Sequence, residues 1–217
     1  FIRGEAATPV PFADNGGLKM LYDNRQYPQA VADENSVHIV WRGNDGLPYH
    51  ASYDLKGRAF SRRRMLLKGA EIKIKIKESK YRRDHHFAPV IWLDSEKRFH
   101  TMFGCHNTPG VQLISKEPQS VADWEQGPSP SESMSYPKVH RIHEGKTLVY
   151  FRHIGHLGEW RYRTMSDGAR DWNGAARTTV DLNAEPQDGK HASHAGSYNT
   201  TAISADGTRL HVAFIWK

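Results

Sequence analysis

Residues 84–107 read DHHFAPVIWLDSEKRFHTMFGCHN and predict a β-hairpin with a histidine beyond each outer end. The first strand is Pro89–Leu93, the second is Arg98–Phe103, and a polar turn joins them. The strands of a hairpin run antiparallel, so its two outer ends meet at one edge of the sheet. We therefore expect His86 to lie beside His106, where two imidazoles can act as base and acid near neutral pH. Histidines that only pack at strand ends are the alternative interpretation.

The composition indicates a globular chain that binds a polyanion. With 217 residues, 38% of them hydrophobic, the chain can bury one sizeable core, and it has no apolar run long enough to span a membrane. Its single cysteine, Cys105, excludes an intrachain disulfide. A net charge of +6 favours nucleic acid, a membrane surface or an acidic polysaccharide as the partner. Because the basic residues are dispersed and form no recognised nucleic-acid motif, we do not expect a nucleic-acid partner. We also expect no membrane partner.

Four segments share one pattern, a polar turn followed by a strand that ends in a large aromatic residue. Helical signals are nearly absent, so we expect an all-β fold. The final aromatic residues are 62, 48 and 63 positions apart. Such spacing is typical of β-propeller blades, each of which contains several strands. The four segments are Asp33–Trp41, Asp94–Phe103, His143–Phe151 and Ala205–Phe214.

A second marker recurs in phase with the first. It is a turn containing Ser, Asp or Gly that ends in an aromatic residue, at Ser52–Phe60, Ser115–Trp124 and Met165–Trp172. In such turns the polar side chains bind backbone amides while the aromatic residue packs between sheets. The two markers together predict a β-propeller with about four visible blades, in units near residues 25–60, 85–124, 136–172 and 198–217.

The sequence also resembles a known family. DHHFAP at 84–89, FGCHN at 103–107, SYPKV at 135–139 and VYFR at 149–152 occur in the order found in the BNR-repeat propellers that include the ulvan lyases. The resemblance runs from about Val31 to the C-terminus. It implies a polysaccharide lyase with a seven-bladed propeller, of which further chain would supply the remaining blades. Since the chain starts at Phe1 without a Met, we expect a removed leader or a trimmed chain, and a secreted or periplasmic protein.

The same resemblance implies roles for individual residues. His86 and His106 match the catalytic histidines, with neighbouring His85 as the competing choice for the first, and Tyr136 matches an active-site tyrosine. Arg152 matches the arginine that binds the uronate carboxylate.

Further matches concern substrate and metal. Tyr198 and Asn107, together with His85, are assigned to substrate binding. His156 stands where some members of the family bind a structural metal ion, Zn or Ca. Packing or surface roles are the alternative interpretation for each of these residues.

The chemistry that these residue types support is β-elimination from a 4-linked uronate. Arg152 would stabilise the negative charge that develops when the C5 proton is removed, and the histidines and tyrosine would serve as base and acid. No organic cofactor is needed. Together, the resemblance and this chemistry imply a lyase that acts on an anionic, sulfated uronate polysaccharide of the ulvan type. A sialidase-like glycoside hydrolase and a non-catalytic glycan-binding propeller are the alternatives.

Overall fold

The computed structural model describes residues 11–16, 26–67, 84–155, 158–181 and 198–215. Within these ranges the chain forms antiparallel sheets, and the helices are two short 3-10 turns at His85–Phe87 and His143–Gly145. The prediction of an all-β fold is confirmed. In the described part of the chain, no helix has the length and apolar character needed to cross a membrane.

The first sheet contains five strands, β1 to β5. Its main path runs β1-β2-β3-β4, and β5 also pairs with β3. The side chain of Asp33 forms the turn before β2 by accepting hydrogen bonds from the backbone amides of Asn35 and Ser36. The strands are β1 (Ala30–Ala32), β2 (Ser36–Arg42), β3 (Pro48–Asp54), β4 (Ala59–Phe60) and β5 (Arg64–Met65).

The second sheet contains the predicted hairpin. Its strands are β6 (Val90–Leu93), β7 (Phe99–Phe103), β9 (Val111–Ser115) and β10 (Trp124–Gly127), in the order β6-β7-β9-β10, while the short strand β8 (His106–Thr108) leaves for the next sheet. Val90 pairs with Met102 and Leu93 with Phe99. The predicted hairpin is therefore confirmed.

The third and fourth sheets complete the described fold. The third is β11 (Met134–Arg141), β12 (Thr147–Arg152), β13 (Trp160–Met165) and β14 (Trp172–Val180), with β8 paired to the start of β11. The fourth contains β15 (Tyr198–Ile203) and β16 (Leu210–Ile215).

The two sequence markers fall at equivalent places in these sheets. The aromatic residues of the first marker lie in the second strand of each sheet, at Trp41, Phe103, Phe151 and Phe214. The aromatic residues of the second marker lie in the fourth strand of the first three sheets, at Phe60, Trp124 and Trp172. The strands that the first marker predicts are confirmed.

The core lies between neighbouring sheets. Trp124 belongs to a buried cluster that includes Val40 of the first sheet and Phe99 of the second. Trp172 packs in the next cluster, and its indole donates a 2.9 Å hydrogen bond to Gln112 of the second sheet. The expectation of inter-sheet packing is confirmed for these two tryptophans. Phe60 is half-buried and contacts Phe12 and Tyr53, and its packing between sheets stays a prediction.

Residues Gln26–Gln29, which we call the crossing segment, bind to all four sheets. The backbone carbonyl of Gln29 accepts from Val40 of the first sheet, and that of Pro28 accepts from Ile91 of the second, both at 2.9 Å. Tyr27 accepts from Val139 of the third sheet through its carbonyl. Its hydroxyl accepts from the Thr201 amide of the fourth sheet at 2.7 Å. The crossing segment thus ties the sheets together near their first strands.

A buried histidine pair lies in the first sheet. His38 Nδ1 lies 3.0 Å from His50 Nε2, and His38 Nε2 lies 3.1 Å from the carboxylate of Asp33. Burial, with smaller contributions from His38 and Arg64, lowers the pKa of His50 to about 3. Burial also lowers the pKa of His38, against the opposing effect of Asp33. Both imidazoles are therefore held neutral in the folded protein.

We expect this pair to make the free energy of unfolding depend on pH. The folded pKa of His50 lies below the unfolded value of about 6.5, so the unfolded state takes up the proton first. Stability is therefore fully present above about pH 6.5 and is lost as the pH falls toward 3. Denaturant unfolding at pH 7.5, 6 and 5 should show this loss in the unmodified protein and a smaller loss in His50→Gln.

His143→Gln, which changes an exposed histidine, is the matched control. Its free energy of unfolding should depend on pH as steeply as that of the unmodified protein. The same pH slope in the unmodified protein and in His50→Gln would contradict the assignment.

Candidate active site

The two histidines of the hairpin stretch lie against each other. His86 is in the 3-10 turn before β6, and His106 begins β8 after β7. Their ring centroids are 4.0 Å apart, with an interplanar angle of 27°. The predicted proximity is confirmed. The side chains are 15% and 27% exposed, so a solute can reach both rings.

Asp84 holds this histidine pair. One carboxylate oxygen accepts from His86 Nδ1 at 2.5 Å and from the His86 backbone amide at 3.0 Å, while the other binds His106 Nδ1. Burial would raise the pKa of Asp84, but the hydrogen bonds from both histidines outweigh it and hold the pKa well below its usual range. An ionised carboxylate only accepts hydrogen bonds, so both Nδ1 atoms carry hydrogen. The Nε2 atoms are then the ones available for proton transfer.

A buried arginine interacts electrostatically with the Asp84 carboxylate. Arg42 is at the end of β2 and is 4% exposed. Burial lowers its pKa, and attraction to the charge of Asp84 partly offsets this effect. The first sheet thus contributes a positive charge near the histidine pair, which lies beside the hairpin of the second sheet.

A second group of side chains adjoins the pair. The Tyr136 ring lies 5.1 Å from the His86 ring, and the Arg152 guanidinium lies 4.7 Å from the Tyr136 ring centroid. Tyr198 contacts Tyr136 edge-to-face at 5.7 Å and lies 5.9 Å from Arg152. The structure therefore brings His86, His106, Tyr136, Arg152 and Tyr198 into one continuous cluster.

Tyr136 sits in a strained backbone conformation. Its φ is +57°, in the left-handed region that residues other than glycine rarely occupy. It lies where the pairing of β11 with β12 shifts register, between Ser135 and Lys138. The Tyr136 side chain is 1% exposed and Arg152 is fully buried. Strain of this kind costs of order 1–3 kcal/mol and is common at functional sites.

Asn107 organises the backbone around the cluster. Its φ is also positive, at +53°. Its side-chain oxygen accepts from the Ser135 hydroxyl at 3.1 Å and from the Gly155 amide at 3.0 Å, and its own amide donates to the Ser135 hydroxyl. The proposed contact between Asn107 and substrate stays a prediction. The contacts seen in the structure link the strand starts that carry His106 and Tyr136.

The structure gives less information on the remaining predicted residues, His85 and His156. His85 lies in the same 3-10 turn as His86, and its side chain is not among those described. His156, the predicted metal ligand, lies outside the described residues. Within the described part of the chain, a group with the ligand types and spacing for a metal ion is Asp84, His86 and His106.

Sequence reasoning assigned no role to Asp84 or Arg42. A signal for Asp84 was present, since the carboxylate stands two positions before His86 in the quoted stretch. No local signal points to Arg42, which is more than forty positions away and in another sheet.

We expect Asp84 to fix the tautomers of both histidines. In Asp84→Asn, the amide has one oxygen to accept one Nδ1–H, so at least one imidazole should lose its Nδ1–H form. Imidazole ¹⁵N NMR of the unmodified protein and of Asp84→Asn should show this change, with signals assigned from His86→Gln and His106→Gln. Asp94→Asn, which affects the separate Asp94–His100 contact, is the control. Identical spectra for His86 and His106 in the presence and absence of the Asp84 carboxylate would refute the assignment.

The sequence of this chain matches a protein family and is similar to two ulvan lyases. The model of a family described as "BNR repeat-containing family member" matches residues 47–217. An ulvan lyase from Nonlabens ulvanivorans is 25% identical over 174 residues, which cover 72% of this chain and 36% of the relative. An ulvan lyase from Alteromonas sp. (strain LOR) is 22% identical over 163 residues, covering 68% and 33%. The chain therefore spans about a third of the length of these curated relatives.

Solved structures share the fold. A polysaccharide lyase described as an ulvan lyase of a new family superposes with a TM-score of 0.75 at 19% identity, covering 94% of this chain and 48% of that one. A second structure of such a lyase, bound to GlcA(1-4)Rha3S, gives the same TM-score at 18% identity. At this identity the likeness establishes the fold, which corresponds to about half of the solved chain.

Proposed function

This chain belongs to the BNR repeat-containing family, and we propose that it carries the catalytic site of a polysaccharide lyase that cleaves a sulfated, uronate-containing polymer of the ulvan type by β-elimination. The observation that carries the proposal is the cluster of two imidazoles, a tyrosine and an arginine in one site. The curated relatives named above are ulvan lyases, which supports the substrate class.

We further propose that the four sheets are consecutive blades of a β-propeller. The first strands β1, β6, β11 and β15 pack against one another in chain order, as the inner strands of blades do. The proposed blades are the sequence units near residues 25–60, 85–124, 136–172 and 198–217. Seven blades are proposed for the whole protein, with the others supplied by further chain.

The proposed reaction uses the cluster as follows. A base takes the C5 proton of the uronate, the C4–O4 bond breaks with its electron pair leaving on O4, and an acid protonates O4. The product carries a C4–C5 double bond conjugated with the carboxylate. His86, His106 and Tyr136 share the roles of base and acid, and Asp84 stabilises the imidazolium that forms when a histidine takes a proton.

Arg152 is proposed to bind the uronate carboxylate. Its planar guanidinium matches two carboxylate oxygens and stabilises the charge that develops during proton removal. Because Arg152 is buried beside the Tyr136 and Tyr198 rings, the carboxylate reaches it only after a covering side chain moves. Tyr198 is 38% exposed and is the more accessible of the two rings. Its proposed role is to contact the sugar as it enters.

The proposal extends to cofactor and location. This elimination needs no organic cofactor, because every proton and charge is handled by side chains. A polymer substrate is met outside the cytoplasm, so we propose a secreted or periplasmic protein. The net charge of +6 favours approach of a polyanion.

The first test is ultraviolet absorbance of the conjugated product. The chain, within its complete protein, is incubated with ulvan, and the unmodified protein is compared with His106→Ala and with His211→Ala, an exposed histidine of the fourth sheet. We expect a rise in absorbance that falls by about 10²-fold or more in His106→Ala, since general acid–base catalysis contributes 10²–10⁴-fold. His211→Ala should match the unmodified protein. If new reducing ends form without a rise in absorbance, the protein is a hydrolase. If the protein binds ulvan and forms neither product, it is a glycan-binding propeller.

The second test addresses carboxylate recognition. Arg152→Lys keeps the charge but loses the two-pronged guanidinium, so kcat/KM should fall by about 10²-fold on the uronate polymer. Arg161→Lys, which affects a partly exposed arginine paired with Glu159, is the matched control and should change kcat/KM little. Steady-state kinetics from the same absorbance assay measure both. An Arg152→Lys enzyme as active as the control would remove Arg152 from the proposed mechanism.

A further inference from the structure

We propose that Asp84, His86 and His106 also form a binding site for a divalent transition-metal ion such as Zn²⁺, and that metal binding and catalysis exclude each other. The first half of this proposal is independent of the reaction. The second half rests on the proposed lyase function.

The ligand set suits a borderline-soft metal. One atom each from Asp84, His86 and His106 lies within 4.8 Å of the others. Two imidazole nitrogens and a carboxylate oxygen bind Zn²⁺ at about 2.0–2.2 Å, with water in the fourth position of an open site. Imidazole nitrogen favours zinc and copper over magnesium and calcium, which prefer oxygen ligands.

The arrangement is already close to a metal site. Both Nδ1 atoms converge on the carboxylate of Asp84, and each histidine lies a few residues beyond an outer end of the hairpin, His86 in a 3-10 turn and His106 at the start of β8. A metal ion would replace the two hydrogen bonds with bonds to the same three groups. The three side chains are between 14% and 27% exposed, which leaves a path for an ion and for a bound water.

Metal binding would remove the base by reversing the tautomers. With Asp84 as partner, Nδ1 carries hydrogen and Nε2 keeps the lone pair that accepts a proton. A neutral imidazole that binds metal through Nδ1 carries its hydrogen on Nε2 instead. Neither ring can then accept a proton at Nε2, so the metal-bound protein cannot begin the proposed elimination.

Neighbouring charges make this binding reversible. The buried guanidinium of Arg42 interacts with Asp84, and Arg152 lies beyond the Tyr136 ring. Both positive charges repel a metal cation and so lower the affinity of the carboxylate for it. The site therefore differs from a closed structural zinc site, and we expect an ion that a chelator removes.

The binding experiment uses the chain in its complete protein, free of affinity tags. Titration calorimetry with ZnCl₂ should show one site whose affinity falls at least tenfold in Asp84→Asn and in His106→Gln. His211→Gln, which changes an exposed histidine in another sheet, should retain the affinity. MgCl₂ and CaCl₂ should not compete. Circular dichroism of each variant verifies that it is folded.

Imidazole ¹⁵N NMR locates the ion. Zn²⁺ should move the Nδ1 signals of His86 and His106 and give both rings an Nε2–H. Unchanged signals from these two histidines, or equal affinity in Asp84→Asn and His211→Gln, would overturn the site.

The activity experiment tests whether a bound metal ion prevents catalysis. Zn²⁺ should abolish product absorbance in proportion to occupancy, and EDTA should restore it. Full turnover by the zinc-bound protein would overturn exclusion. If the metal binds as expected but no preparation cleaves ulvan, the lyase proposal fails while the metal site stands.

Discussion

The four sheets depend on one short piece of backbone, the crossing segment Gln26–Gln29. Its carbonyls accept hydrogen bonds from a strand of each of the first three sheets, and the Tyr27 hydroxyl accepts one from the fourth. The amide donors Val40, Ile91 and Val139 are buried residues, and a buried amide without a partner costs roughly 1–3 kcal/mol. The four sheets can therefore pack together only where their strands also form hydrogen bonds with the crossing segment. It also reaches the site directly, because the Gln26 side chain donates to the His86 carbonyl at 2.8 Å.

The site is built from the places where strands begin and end. His86 precedes β6, His106 begins β8, and Tyr136 lies in the irregular start of β11. Regular pairing would point alternate side chains to opposite faces, and the register shift at Ser135 allows Tyr136 to turn toward the histidines. Asn107 stabilises this arrangement through its bonds to Ser135 and Gly155. The strain at Tyr136 is thus balanced by hydrogen bonds on the neighbouring strand.

The sequence predicted what local rules determine. Alternation and a polar turn predicted the hairpin, hairpin geometry predicted the approach of His86 to His106, and recurring aromatic residues located the second strand of each sheet. It did not predict Arg42, whose distance along the chain from Asp84 hides a charge interaction that only the packing of two sheets creates. A turn motif specifies its own backbone, whereas the partner of its aromatic residue depends on what lies beyond the strand.

A single carboxylate that binds two imidazoles has a chemical consequence. Asp84 uses one oxygen for each ring, so both rings are oriented by the same rigid group and both present Nε2 on the side away from it. The ring centroids lie 4.0 Å apart. Because imidazole can both take and give a proton, two rings oriented by one carboxylate can supply the base and the acid of the elimination that we propose.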